Sequence, residues 1–423
     1  MEALTGDAGR YCQGMVCCGM TIGGGIAIFA LVVSGIQLGY WLVLFSRLAF
    51  YGKRQQASDS YRPCWMDGKP DAVRREATGE TILCNANVGQ TTIGEDPAVS
   101  VVLCVRNEAK NVSKNLPHIL NQTYRLFEVV VVNDNSTDET WVRLLDFKKK
   151  YSNLTVLNVP FATPPGKKAA LSIGIRAARY DILLLTDADC VPASPYWISR
   201  MRAALDPGKE IVLGFSPYQR ERGFLNVWIC FEAVYTAVQY FSFALSGIPY
   251  MGVGRNLMYR KELFFKCNGF ASHLGIASGD DDLFVNGAAG SQNTAVVLHP
   301  EAFVFTRPKQ SWTSYYYQKT RHFSTGSHYR KRDQFLLALL ALSQFFHYGS
   351  IVGLLLVPGG GLLALVLFLV RMAVVTGLYK HILKLLGESR LWPWVPLLDM
   401  LLPFYYALFA LNLFFGKRTR WRQ

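Results

Sequence analysis

Apolar and polar positions divide the chain into two membrane-like ends and a soluble middle. Residues 11–46 contain no Asp, Glu, Lys or Arg, and such a run exceeds the roughly 20 apolar residues that cross a bilayer. Glu2, Asp7 and Arg10 ahead of it do not form a positive leader, so residues 11–50 are expected to remain as an anchor. Residues 335–370 form a second uncharged run, interrupted by Pro358-Gly359-Gly360-Gly361, which predicts two helices joined by a tight turn. The second helix carries Arg371, and an intramembrane Arg needs protein or water around it; Asp399 is the candidate partner. Pro393, Pro396 and Pro403 in the last run, 391–415, favour a re-entrant or interfacial piece over a further span. The C-terminal region 335–415 is therefore read as two to three segments. Two spans keep the basic tail, 416–423, on the same side as the middle of the chain.

Residues 51–96 are polar, lack a clear period and read as a linker. Between 97 and 333, short Val/Ile/Leu runs at 99–105, 128–133, 154–159 and 181–186 alternate with helix-length segments. That alternation predicts a mostly parallel α/β sheet covered on both faces. Ligands bind such sheets at the carboxyl ends of strands. The residues found there are Asn107 and Glu108 after the first run, Asp134 and Asp138 after the second, and Asp187 and Asp189 after the fourth.

Asp187 and Asp189 stand two apart, so on extended backbone their carboxylates point the same way and can share a divalent cation, Mg²⁺ or Mn²⁺. Asp280-Asp281-Asp282 places three carboxylates together, and their repulsion raises at least one pKa toward the range of a general base. Gln318 and Arg321 share a face if the Tyr-rich stretch around them is helical, and Arg is suited to bidentate phosphate binding. Residues 223–247 carry one charge, Glu232. A span there would separate Asp280 from Asp187, so the segment is read as an interfacial helix anchored by Trp228, Phe231, Tyr235, Tyr240 and Phe241.

Composition narrows the class. The 423 residues are 51% hydrophobic and only 17% charged, whereas an ordinary soluble domain carries about 25% charged residues. The net charge of +14 would suggest nucleic acid in a soluble protein. Here Arg47, Lys53, Arg54, Arg330, Lys331, Arg332, Lys417 and Arg418 flank the apolar runs, which is the positive-inside pattern, and no nucleic-acid partner is expected. The nine cysteines contain no CxxC pair, so a zinc or redox centre is not indicated and a cytoplasmic middle domain is the simplest reading.

The order of these segments resembles the membrane-bound glycosyltransferase family 2, which includes cellulose, chitin and hyaluronan synthases and ceramide glucosyltransferases. Val99-Ser100-Val101-Val102 running into Arg106-Asn107-Glu108 resembles its opening strand and nucleotide loop. Residues 132–138 are similar to its VDDGSTD segment, with Asn133 in place of the first Asp. Gly166-Lys167-Lys168-Ala169-Ala170-Leu171 resembles GKxxAL, and Asp187-Ala188-Asp189 resembles DxD. Gly279-Asp280-Asp281 resembles the TED or GDD site, and Gln318-Lys319-Thr320-Arg321-His322 resembles QxxRW with His322 where Trp is usual.

The resemblance implies a GT-A, Rossmann-like α/β domain inserted between transmembrane helices of an inner or plasma membrane protein, with its catalytic domain in the cytoplasm. It implies a nucleotide-sugar donor, bound by Asn107, Glu108, Asp134, Lys167, Asp187, Gln318 and Arg321. Asp187 and Asp189 would hold the metal, and Asp281, with Asp280, would be the catalytic base site. A lipid or polysaccharide acceptor follows, with processive polymer synthesis as the alternative that His322 weakens. The rivals from other classes are a membrane scaffold that binds a nucleotide sugar without turnover, and a transporter.

Overall fold

The computed structural model describes residues 23–56, 97–160, 166–276 and 278–415. The start of the 11–50 anchor, most of the 51–96 linker and the basic tail 416–423 lie outside the described residues. Helix α1, Gly23–Tyr51, contains a π-helical stretch at Tyr40–Phe45. The middle then runs β1 (Val99–Val105), α2 (Ala109–Leu120), β2 (Phe127–Asn133), α3 (Thr140–Lys150), β3 (Leu154–Asn158), α4 (Lys167–Ala177), β4 (Ile182–Leu185), β5 (Cys190–Pro192), α5 (Trp197–Ala203) and β6 (Ile211–Gly214). It continues through α6 (Phe224–Leu245), β7 (Leu257–Arg260), α7 (Lys261–Lys266), α8 (Asp282–Ala288), β8 (Thr294–Val297), β9 (Val304–Thr306) and α9 (Trp312–Phe323). Helices α10 (Lys331–Leu355), α11 (Gly361–Leu385) and α12 (Val395–Phe415) close the chain.

Seven strands form one sheet in the order β3-β2-β1-β4-β7-β6-β8, and β5 pairs with β9 apart from it. Strands β3, β2, β1 and β4 are parallel; β7 enters antiparallel to both β4 and β6. The Val-rich β1 and β2 are buried on both faces because helices cover both. Gly174 lets α4 lie against them: a Cβ there would stand 2.8 Å from Val102 Cγ1 and 2.9 Å from Val132 Cγ2. Gly174→Val is therefore expected to cost about 1–3 kcal/mol by overpacking, read as a lower denaturation midpoint at unchanged donor affinity.

Helix α6 departs from the expectation of aromatic anchors. Trp228, Phe231, Tyr235, Tyr240 and Phe241 are all buried in protein. The Tyr240 hydroxyl donates to the Gly214 carbonyl at the end of β6, while Phe231 meets Tyr379 of α11 and Trp228 meets Tyr405 of α12. A helix apolar all round is buried all round, and α6 cements the sheet to the C-terminal helices.

Among the described residues four helical segments are long and apolar enough to cross a membrane: Gly23–Tyr51, Lys331–Leu355, Gly361–Leu385 and Ser389–Ala410. The last has the length and composition of a span, although its prolines favoured a re-entrant or interfacial piece. Pro393 sits in a 3₁₀ turn and Pro396 in the first turn of α12, where no intrahelical N–H is required. Pro403 is accommodated within the helix. Arg371 does meet Asp399, Nη1 to Oδ2 at 2.5 Å, with both side chains essentially inaccessible. Tyr348 donates to Asp399 at 2.5 Å, Gln344 at 3.2 Å, and Gln37 of α1 accepts from Arg371 at 3.1 Å. One ion pair thus ties α1, α10, α11 and α12 together.

Candidate active site

The sheet delivers its polar residues to a single large cavity of about 1880 Å³. Its charged end is lined by Arg106, Lys167, Asp187, Asp189, Arg255 and the three carboxylates at 280–282, with Gln318, Arg321 and His322 on α9. Its other end is apolar, lined by Leu337, Ala341 and Phe345 of α10 and by Pro403, Ala407 and Ala410 of α12. The cavity therefore runs from the carboxyl end of β4 to between two helices able to span a membrane.

Lys167 opens α4 and joins two motifs distant in sequence: its Nζ lies 3.0 Å from Asp187 Oδ1 and 2.8 Å from Asp280 Oδ2. Burial alone would favour loss of its proton, but the two carboxylates outweigh burial and hold its pKa well above the ordinary lysine value. The neighbouring Lys168 has a different task. Its ammonium donates to the carbonyls of His273, Ile276 and Ser278 at 2.6, 2.9 and 2.7 Å, pinning the segment that leads to the acidic triplet.

Within the triplet the three carboxylates differ. Burial opposes ionisation of Asp280, but Lys167 overcomes it and keeps that pKa below the usual carboxylate value. Asp282 accepts from the hydroxyls of Thr325 and Tyr329. Asp281 is the N-cap of α8, accepting from the Asp282 N–H at 2.8 Å, and its other oxygen accepts from the Gly254 N–H at 2.7 Å. A Cβ on Gly254 would stand 3.1 Å from the Asp281 Cβ, so glycine permits this approach. Burial, followed by the charges of Asp280 and Asp282, pushes Asp281 up to about 7. A carboxylate at that value is suited to take a proton near neutrality.

Asp187, Asp189 and Cys190 bring potential ligand atoms within 4.8 Å of one another. The carboxylates are hard oxygen donors that fit Mg²⁺ or Mn²⁺. The Cys190 thiol is fully buried and donates to Asp189 Oδ1 at 3.4 Å, and a hard cation prefers the carboxylate oxygens to sulfur. The acceptable set is the two aspartates, leaving the remaining positions to phosphate and water.

The other residues singled out from sequence lie beside this wall and not on it. Asn107, in the left-handed region at φ 54°, accepts from Thr137 N–H at 2.8 Å, and its own N–H donates to Ser136 Oγ. Glu108 accepts from Asn111 at 2.6 Å. Asn107 thus braces the loop that follows Asp134, while the Glu108 N–H donates to Thr140 Oγ1 at the start of α3. Asp134 is buried, with Arg106 3.8 Å from Oδ2 and no hydrogen-bond partner at Oδ1 among the described residues. Such an orphan acceptor is ready for a ligand N–H or O–H.

Sequence reasoning missed Arg255. Asn256 anchors its segment by donating to the carbonyls of Phe215 and Ala302, both at 2.8 Å. Arg255 then lies over the Tyr218 ring at 4.9 Å and faces the cavity. Asp189 and Asp187 are among the charges that favour its protonated form against burial. Gly254-Arg255-Asn256 has no distinguishing spacing, so only the fold reveals it.

Residues 100–266 match the family described as "Glycosyl transferase family 2". That match spans about two fifths of the chain. The family 2 region accounts for the parallel half of the sheet through α7. Among relatives, it is similar to "Probable glycosyltransferase YdaM" of Bacillus subtilis, 26% identical over 264 residues, 60% of this chain and 59% of that protein. It is also similar to "Dolichyl-phosphate beta-glucosyltransferase ALG5D" of Trichomonas vaginalis, 37% identical over 117 residues, 25% of this chain and 35% of that protein. The chain thus spans about three fifths and one third of these relatives. Among solved structures, the mannosyltransferase PcManGT from Pyrobaculum calidifontis, in complex with GDP-Man and Mn²⁺, superposes with TM-score 0.54 at 18% identity, over 93% of this chain and all of that one. At that identity the likeness concerns the fold, and the expected GT-A architecture with flanking apolar helices holds.

Proposed function

We propose that this chain is an inverting, metal-dependent glycosyltransferase that moves a sugar from a nucleoside-diphosphate donor, UDP-linked by preference, to an acceptor drawn from the membrane. The observation that carries this reading is the double contact of Lys167 with Asp187 and Asp280. It joins the candidate diphosphate and metal side to the candidate base side within one cavity. The donor would lie against Asp134, Lys167, Arg255, Gln318 and Arg321. Asp187 and Asp189 would hold Mg²⁺ or Mn²⁺, which supplies charge neutralisation of the departing diphosphate. Asp281 would take the acceptor proton, while Lys167, Arg255 and Arg321 would neutralise negative charge from the protein side.

The apolar end of the cavity supports a lipid acceptor over a growing glycan. A hydrated polymer would have to shed water along Leu337, Phe345 and Pro403, whereas a hydrocarbon chain gains by burial there. The catalytic domain is assigned to the cytoplasmic side of an inner or plasma membrane, where nucleotide sugars are available.

The test is nucleoside diphosphate release by the detergent-purified protein from a panel of UDP- and GDP-sugars, with Mn²⁺, Mg²⁺ or EDTA and membrane lipids supplied. Release from one donor that needs the metal is expected. Asp189→Ala is expected to lower it by about 10²–10³-fold, the scale of losing a preorganised electrostatic contribution. Donor binding without turnover under every condition would instead favour a nucleotide-sugar-binding scaffold.

A further inference from the structure

Helix α8 carries Asp281 at its N-cap and is fixed at its other end by a polar joint that the chemistry above does not use. Asn286, 3% exposed, donates from Nδ2 to the Tyr250 carbonyl and to Asp333 Oδ2, both at 2.9 Å, and its Oδ1 accepts from the Arg330 N–H at 2.8 Å. Asp333 is fully buried in the first turn of α10, and its second oxygen accepts from Arg332 Nε at 2.8 Å. The Arg330 guanidinium donates to the carbonyls of Gly287 and Ala289, at 2.7 and 3.1 Å, satisfying groups of the kind that a helix C-terminus leaves unpaired. At the start of the helix, Asp282 accepts from the hydroxyls of Tyr329, at 2.7 Å, and Thr325. Both ends of α8 are thus fastened to residues 325–333, the segment that enters α10.

Resting on the transferase reading, we propose that Asn286, supported by Asp333 and Arg330, is a positioning residue for the base: it locks the helix that presents Asp281 to α10. The Gly254 N–H sets the rotation of the Asp281 carboxylate, while α8 sets where its backbone stands. The Val285 N–H donates to the Asp281 carbonyl at 2.9 Å, so the base belongs to the same hydrogen-bonded turn as the neighbour of Asn286. Five residues of helix span only about 7.5 Å, and over that length a shift at Asn286 is carried to Asp281. On the far side of the joint, α10 places Leu337, Ala341 and Phe345 on the apolar wall of the cavity. The base and the acceptor end of the cavity therefore form one body, while Lys167 and Asp187 stand at the start of α4 and just after β4.

The composition of the joint favours positioning over stability alone. A buried amide and carboxylate contribute less stability than apolar side chains of the same size would, but their bonds are all satisfied in a single arrangement. A catalytic group must stand within about 0.5 Å of its working position, and a misplacement of about 1 Å costs up to about 10²-fold in rate.

The experiment measures nucleoside diphosphate release by the full chain, in detergent with membrane lipids and the donor found above, and expresses kcat per donor-binding site counted by titration. That normalisation separates a misplaced base from lost folded protein, which lowers the number of sites and not the rate at each. Asn286→Ala is expected to lower kcat per site about 10–10²-fold, with donor KM within about twofold of wild type. Arg330→Met removes only the exposed side chain's part of the joint and should act in the same direction by a smaller factor. In an Asp281→Asn background, Asn286→Ala is expected to change the residual rate by less than about twofold, since a base that is absent cannot be misplaced. Arg330→Met is carried through both backgrounds too, and decides alone should Asn286→Ala yield no donor-binding protein. An unchanged kcat per site, or an equal fall with and without Asp281, overturns this inference and leaves the transferase reading standing. Absence of release by the wild-type protein, while it binds donor, overturns both.

Discussion

Asp281→Asn is expected to lower kcat by about 10²–10⁴-fold, the range for loss of a positioned general base, while donor affinity stays near that of the wild type. The change removes one proton-accepting atom at nearly constant size. The single carbonyl oxygen of Asn can accept from the Asp282 N–H at the cap of α8 or from the Gly254 N–H, and the other contact is lost. The measurement pairs single-turnover transfer with a donor-binding titration. Retention of more than a tenth of wild-type kcat would mean that another group accepts the proton.

The raised pKa of Asp281 adds two pH tests. Only the ionised form accepts a proton, so wild-type kcat/KM should rise with pH through about 7, and the residual activity of Asp281→Asn should lack that step. Stability has the opposite dependence. The folded pKa lies above the unfolded one, so the fold favours the protonated form. Wild-type stability is fully present below the unfolded value and declines as pH rises through about 7. Asp281→Asn should therefore melt higher than wild type at pH 8 and close to it at pH 4.

Arg371→Leu should have the largest effect on stability. The guanidinium is fully enclosed by Asp399, Tyr348 and Gln37, and its loss leaves the Asp399 carboxylate without a counter-charge among buried helices. Breaking such a pair by removing one partner costs about 3–5 kcal/mol. Replacing both, Arg371→Leu with Asp399→Leu, should recover most of that, because the desolvation cost of the second charge disappears too. Thermal unfolding in detergent and the yield of monodisperse protein read both. Equal melting temperatures for the single and double variants would show that the pair does not hold the four helices together.

Much of the site was legible locally. Strands β1, β2 and β4 announce themselves as Val/Ile/Leu runs because both their faces are buried, and the polar residues that follow them fall at carboxyl ends by the geometry of a parallel sheet. Asp187 and Asp189 were found in this way, the 280–282 triplet as three adjacent carboxylates, and Arg371 and Asp399 as charges too costly to leave alone in apolar helices. Local composition misread the surroundings of α6 and the continuity of the last helix for one shared reason. It measures the composition of a segment and not its surroundings, so it cannot tell an interfacial helix from one wrapped in protein, or a broken helix from one whose prolines fall where they are tolerated.

The amino-acid sequence by itself determined the division into apolar ends and α/β middle, the chemical type of the groups at each strand end, and the resemblance to glycosyltransferase family 2. Each of these depends on composition or short spacing within a few residues. The tertiary structure alone decided that Lys167 reaches both Asp187 and Asp280, that Arg255 and Glu232 face the cavity, that Asn107 braces a loop beside it, and that one ion pair joins four helices. These facts depend on contacts between residues separated by tens to hundreds of positions, brought together by burial of the sheet and helices, and no local pattern encodes them.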